Sequence, residues 1–176
     1  MTSQTTTIKT SYSAKEVLGY CLQDPHTMRR LPAPPLLMFD RIPQIHKDGG
    51  AFGKGWIVAE KDVHFNEWFF LAHFQGDPVM PGILQVDAIL QLAGFFLMHS
   101  GFDGHGRALR TGKISFREQV RPHHKNVTYK LDIKKVSARP MPVAFAEAVA
   151  EVDGKLSVQV DGIMVGLFAD LRYDYP

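Results

Sequence analysis

Apolar and polar positions divide the chain into one short helical segment, two strands, one long apolar run and a closing series of strands. Ser13 to Leu22 predicts a short helix, with Ser13 as N-cap and Glu16 in capping-box position three residues on. Residues 1–11 ahead of it are polar and read as a loose tail. The stretch LPAPP at 31–35 cannot be helical and predicts an extended lead-in. LLMFDRIPQI (36–45) predicts a strand, and Pro43 marks an edge or a bulge. KDGG at 47–50 is a turn signal, and Phe52 to Val63 reads as the partner strand.

A short aromatic piece, NEWFFLAHF (66–74), leads to a Gly/Pro-rich loop, QGDPVMPG (75–82). The long apolar run follows, Ile83 to Met98, interrupted by Gln85, Asp87 and Gln91. A membrane span needs ~20 residues with few polar interruptions, so this run reads as a helix buried in a globular fold. Ser100-Gly101 supplies its stop. Beyond Gly106, ALRTGKISFREQV, VTYKLDIKKV, PVAFAEAVAEV and KLSVQVDGIMVGLF read as strands, with a tight hairpin at Asp153-Gly154. Strands segregated from a single helix predict α+β, an antiparallel sheet wrapped around the apolar helix. Such a sheet has edges to protect, and pairing with a second copy is one way to do it, so we expect a dimer.

Composition changes this picture little. The chain has 176 residues, 45% of them apolar and 22% charged, which suits one globular domain and excludes a disordered chain. The single cysteine, Cys21, excludes an internal disulfide and Cys-based zinc sites. The polar start carries no signal-peptide pattern, and we expect a cytoplasmic protein without a membrane span. The distribution of charge is more telling than the total of +2. Residues 107–139 hold ten Lys and Arg against Glu118 and Asp132, giving +8 there and −6 elsewhere. A solvated basic face is one reading and docking of an acidic partner the other. No nucleic-acid-binding signature accompanies the patch.

Candidate chemistry gathers at 73–91. His73 precedes the Gly/Pro loop, and Gly82 opens the helix, where unpaired backbone N–H groups and the helix dipole can polarise a carbonyl oxygen. Asp87 lies among Ile83, Leu84, Val86, Ala88, Ile89 and Leu90. Burial there would raise its pKa and keep it able to donate a proton, unless it is salt-bridged or faces solvent. Gln91, four residues on, shares its face and can orient it. His64 and the adjacent His123-His124 lack the further ligands that a metal site needs.

His73-Phe74-Gln75-Gly76-Asp77-Pro78-Val79-Met80-Pro81-Gly82, followed by Asp87, resembles the bacterial 3-hydroxydecanoyl-acyl-carrier-protein dehydratase/isomerase family of type II fatty acid synthesis. Leu31-Pro32-Ala33-Pro34, Leu37 to Ile42, Trp68-Phe69-Phe70, Gly106 to Leu109, Val127-Thr128-Tyr129 and Val165 to Phe168 extend the resemblance over residues 31–168. The resemblance implies a single hot-dog domain over 31–176, with 1–30 as tail and short helix. It implies a homodimer whose two sites each take the histidine from one subunit and the aspartate from the other.

Carried over, the catalytic pair is His73 and Asp87, the carbonyl-binding amide is Gly82 and the orienting glutamine is Gln91. The implied activity is a lyase reaction of lipid metabolism: dehydration of a (3R)-3-hydroxyacyl thioester to the trans-2-enoyl thioester, with trans-2 to cis-3 isomerisation as a second step. No metal or organic cofactor is implied. The implied partner is acyl carrier protein, which is acidic, and Lys130, Lys134, Lys135 and Arg139 are candidates for docking it.

The chain departs from the family pattern at Ile83, where the family has Cys, and at Gln85, where it has Gly. It carries Arg139-Pro140 where the family has adjacent arginines. A hot-dog thioesterase, a dehydratase of a polyketide-like or polyunsaturated lipid pathway, and a non-catalytic acyl-binding subunit are the alternative readings.

Overall fold

The computed structural model describes residues 9–24 and 27–169; residues 1–8 of the expected tail lie outside them. Its elements run α1 (Ala14–Cys21), β1 (Arg41–His46), β2 (Trp56–Asp62), α2 (Trp68–Ala72), α3 (Gly82–His99), β3 (His105–Arg110), β4 (Ile114–Phe116), β5 (Asn126–Ser137), β6 (Val143–Val152) and β7 (Lys155–Phe168). One antiparallel sheet holds all seven strands in the order β1-β2-β5-β6-β7-β3, with β4 also on β7. The sheet wraps α3, as the α+β expectation required.

The wrap follows from side-chain size. Along β6, Ala144, Ala146, Ala148 and Ala150 are all buried, and these small residues leave room for a helix carrying Phe95 and Phe96. By length and apolarity alone α3 could cross a membrane, yet 61% of it is buried inside the fold. Its far end meets the β1–β2 turn at Gly55, whose φ is +107°. A Cβ there would lie 2.6 Å from the Phe96 ring and 2.7 Å from the His46 carbonyl oxygen, so only glycine fits. Gly101, at φ +100°, ends α3 as the sequence predicts.

The capping box of α1 forms: the Ser13 N–H and hydroxyl both donate to the Glu16 carboxylate, at 2.9 and 2.7 Å. Residues 10–12 are not loose. Ile45 N–H donates to the Thr10 carbonyl, and Tyr12 and Ile42 exchange two backbone hydrogen bonds. Tyr12, Val17 and Cys21 join the same core as α3.

Three expectations change in detail. The first strand begins at Arg41 rather than at 36, because the backbone of Leu36 and Met38 bonds to Gln91. The lead-in at 31–35 closes into a turn, with Leu36 N–H donating to the Ala33 carbonyl. The strand expected over 108–120 splits into β3 and β4, and between them Gly112 N–H reaches the Asp161 carbonyl beside Gly162, at φ +62°. The irregularity at Pro43 appears as a register shift between Arg41 and Gln44.

Candidate active site

His73 is the C-cap of α2, and its N–H donates to the Phe69 carbonyl. The loop behind it is closed by short backbone bonds. Phe74 and Asp77 bond each other in both directions at 3.0 Å, and Val79 N–H donates to the His73 carbonyl at 2.8 Å. Arg121 holds Asp77 from outside at 2.6 Å, and Met80 N–H donates to the Val120 carbonyl. The ring of His73 places Nδ1 3.0 Å from the Val79 carbonyl oxygen. A carbonyl only accepts, so Nδ1 carries a proton, and in the neutral imidazole that leaves the lone pair on Nε2. That tautomer suits a general base acting through Nε2.

Asp87 lies half-buried on α3, and burial pushes its carboxyl up from the ordinary value. Gln91 Nε2 donates to Asp87 Oδ2 at 2.6 Å, which lowers the pKa and partly offsets burial. Gln91 is itself fixed at both ends of its amide. Nε2 also donates to the Leu36 carbonyl at 2.8 Å, and Oε1 accepts from Met38 N–H at 3.1 Å. The orienting role expected of Gln91 thus has a frame: the segment ahead of β1 pins the amide, and the amide pins Asp87.

Gly82 is the first residue of α3, after Pro81. A Cβ there would lie 2.6 Å from two carbons of the Phe116 ring on β4. The absence of a side chain lets an aromatic ring lie against the helix start. That contact joins residues 34 positions apart and leaves no sequence signal. Gln85 is 2% exposed, and its Oε1 has no hydrogen-bond partner.

A family model described as FabA-like domain matches residues 31–161. The chain belongs to that family. Among solved structures it is similar to the dehydratase heterocomplex ApeI:P from Xenorhabdus doucetiae, at 9% identity and a TM-score of 0.60, covering 78% of this chain and 86% of that one. It is also similar to the (R)-hydratase from A. caviae involved in PHA biosynthesis, at 18% identity and a TM-score of 0.47, covering 64% of this chain and 94% of that one. A hypothetical thioesterase from Streptococcus pneumoniae TIGR4 is similar at 15% identity and a TM-score of 0.48, covering 72% of this chain and 85% of that one. The fold is the hot-dog fold of the FabA-like family.

The basic residues expected to dock a carrier are spread along β5 and the turn after it. Lys130 pairs with Glu151 at 2.7 Å and Lys134 pairs with Glu147, both across to β6. The ammonium of Lys135 lies 5.6 Å from the centre of the Phe145 ring. Arg139 follows β5, and its carbonyl accepts from the Ser137 hydroxyl. His123 and His124 lie ring against ring, and His124 Nδ1 accepts from Arg121 N–H. Sequence reasoning missed the buried ion pair of Lys61 with Glu67. Its signal was present: Lys61 falls on the inward positions of β2 with Ile57 and Ala59.

Proposed function

We propose that this protein dehydrates (3R)-3-hydroxyacyl thioesters carried on acyl carrier protein, in the cytoplasm, as a homodimer with two shared sites. The observation that carries the reading is the Asp87–Gln91 pair. A half-buried carboxyl with a raised pKa, held by an amide that is itself pinned, is built to deliver a proton.

In this reading the thioester carbonyl lies against the Gly82 N–H at the start of α3, where the helix dipole stabilises developing negative charge. That acidifies C2. His73 Nε2 takes the C2 proton, the electron pair forms the C2–C3 double bond, and the C3–O bond breaks. Asp87 of the second subunit gives its proton to the departing oxygen, which leaves as water. His73 ends protonated and Asp87 ends as carboxylate, and one proton returned from His73 to Asp87 through solvent resets the site. Each positioned acid or base is worth ~10²–10⁴ in rate.

Exposed apolar side chains support pairing with a second copy. Phe65, Leu71 and Phe74 are 79, 78 and 55% exposed around α2, and Ile83 and Phe116 are 58 and 56% exposed at the start of α3. A trans-2 to cis-3 shift needs the same histidine to reach C4. Carrier docking is assigned to Lys130, Lys134, Lys135 and Arg139.

The test is product analysis with substitution. His73→Ala and Asp87→Ala should each fold and each lose dehydration by ~10²-fold or more. A folded His73→Ala protein with full activity would exclude the base assignment.

A further inference from the structure

The geometry points to Lys61 and Glu67 as positioning residues for His73, acting through α2. This rests on the assignment of His73 as base. Lys61 Nζ lies 2.7 Å from Glu67 Oε1, with the two side chains 9 and 14% exposed. In every other ion pair among the described residues, both side chains are at least 25% exposed. Taking two charges out of water is costly, and a well-packed apolar pair of similar volume is often as stable or more so. Stability alone therefore gives little reason for this pair to sit here.

Its place in the fold gives a better one. Lys61 belongs to β2, which is paired on both sides by β1 and β5, on the same inward-facing set as Ile57 and Ala59. Glu67 is the N-cap of α2, and its carbonyl accepts from Phe70 N–H. The helix has five residues, far fewer than a helix needs to hold itself in water. His73 caps its other end. The span from Glu67 to His73 is therefore held by its contacts with the rest of the fold, buried through Phe69 and Phe70 and tied to β2 at the N-cap by Lys61. A reacting nitrogen misplaced by about 1 Å costs roughly 10²-fold in rate, so this anchor, which places α2, acts together with the Val79 carbonyl on Nδ1 to set where Nε2 points.

The experiment replaces the pair by apolar residues of similar volume, Lys61→Met with Glu67→Leu. It reads three things in the full chain: the urea midpoint, kcat and KM on a (3R)-3-hydroxyacyl N-acetylcysteamine thioester, and the NMR resonances of the His73 ring. The expected result is a midpoint equal to or above that of the native chain, an unchanged KM, a kcat lower by roughly tenfold or more, and shifted His73 resonances. A folded double variant with native kcat and native His73 resonances overturns the proposal. Should the native chain dehydrate no such thioester, the function assigned above fails, and the ring resonances alone decide this inference: shifted supports it and unchanged overturns it. The charge-swapped chain, Lys61→Glu with Glu67→Lys, keeps the tie and should recover kcat and the native resonances. A folded swap that recovers neither contradicts the proposal, and it serves as the deciding variant should the apolar pair fail to fold.

Discussion

Burial works against the charge on Asp87, and this couples its ionisation to stability in a direction opposite to most carboxylates. Its pKa in the folded chain is raised, so the ionised form is penalised by folding. The penalty is absent at low pH, grows as pH rises through the unfolded value, and is complete above the folded value. Asp87→Asn should therefore raise the thermal midpoint at neutral pH, lose that gain in acid, and lower kcat by ~10²–10⁴. Calorimetry across pH checks the first part and steady-state rates the second. Gln91→Leu removes a donor to the carboxylate, which raises the pKa of Asp87 further. Its alkaline limb in kcat against pH should move to higher pH while kcat falls, because the acid becomes weaker and loses its orientation. An alkaline limb that moves down would contradict the assignment of Asp87 as the acid. The half-buried Asp87 and the Gln91 amide bonded to it were legible in sequence because a carboxylate inside an apolar run is conspicuous and i, i+4 spacing is simple. The two backbone groups that pin Gln91 were not, since Leu36 and Met38 look like the start of a strand.

Among the elements, the long ones were legible and the joints were not. β5 and β6 follow period-two alternation over most of their length, β7 follows it in part with a break at Asp161-Gly162, and the start and end of α3 carry glycine signals. The break between β3 and β4 depends on where Gly112 meets Gly162 on β7, a contact that local pattern does not carry. The Gly55 joint is similar. Gly55→Ala combines a left-handed backbone with a clash against Phe96 and the His46 carbonyl, and should cost about 2–4 kcal/mol. Gly53→Ala, at φ +65° with open space around it, carries the backbone strain alone and should cost about 1 kcal/mol. Equal losses in urea unfolding would mean that the packing of α3 against this turn is unimportant.

For the whole molecule, the exposed aromatic and aliphatic side chains around α2 and the start of α3 motivate a dimer with shared sites. If each site takes His73 from one subunit and Asp87 from the other, mixing inactive His73→Ala with inactive Asp87→Ala and allowing subunits to exchange should recover roughly a quarter of native activity. No recovery despite demonstrated exchange would place both residues within one subunit. The charge imbalance was visible in sequence, but its partners were not. Lys130 and Lys134 face Glu151 and Glu147, which leaves Lys135 and Arg139 to carry more of any attraction to an acidic carrier. Lys135→Glu with Arg139→Glu should weaken carrier-protein binding, most at low salt, and spare kcat on a small thioester. Equal loss on both substrates would indicate misfolding instead.

Elimination of water at a His73–Asp87 site is decided by product analysis with (3R)-3-hydroxydecanoyl thioester on acyl carrier protein. Trans-2-decenoyl thioester, alone or with the cis-3 isomer, is the predicted product, and it should disappear with His73→Ala. Free 3-hydroxydecanoic acid and released carrier thiol would contradict elimination and make the protein a thioesterase.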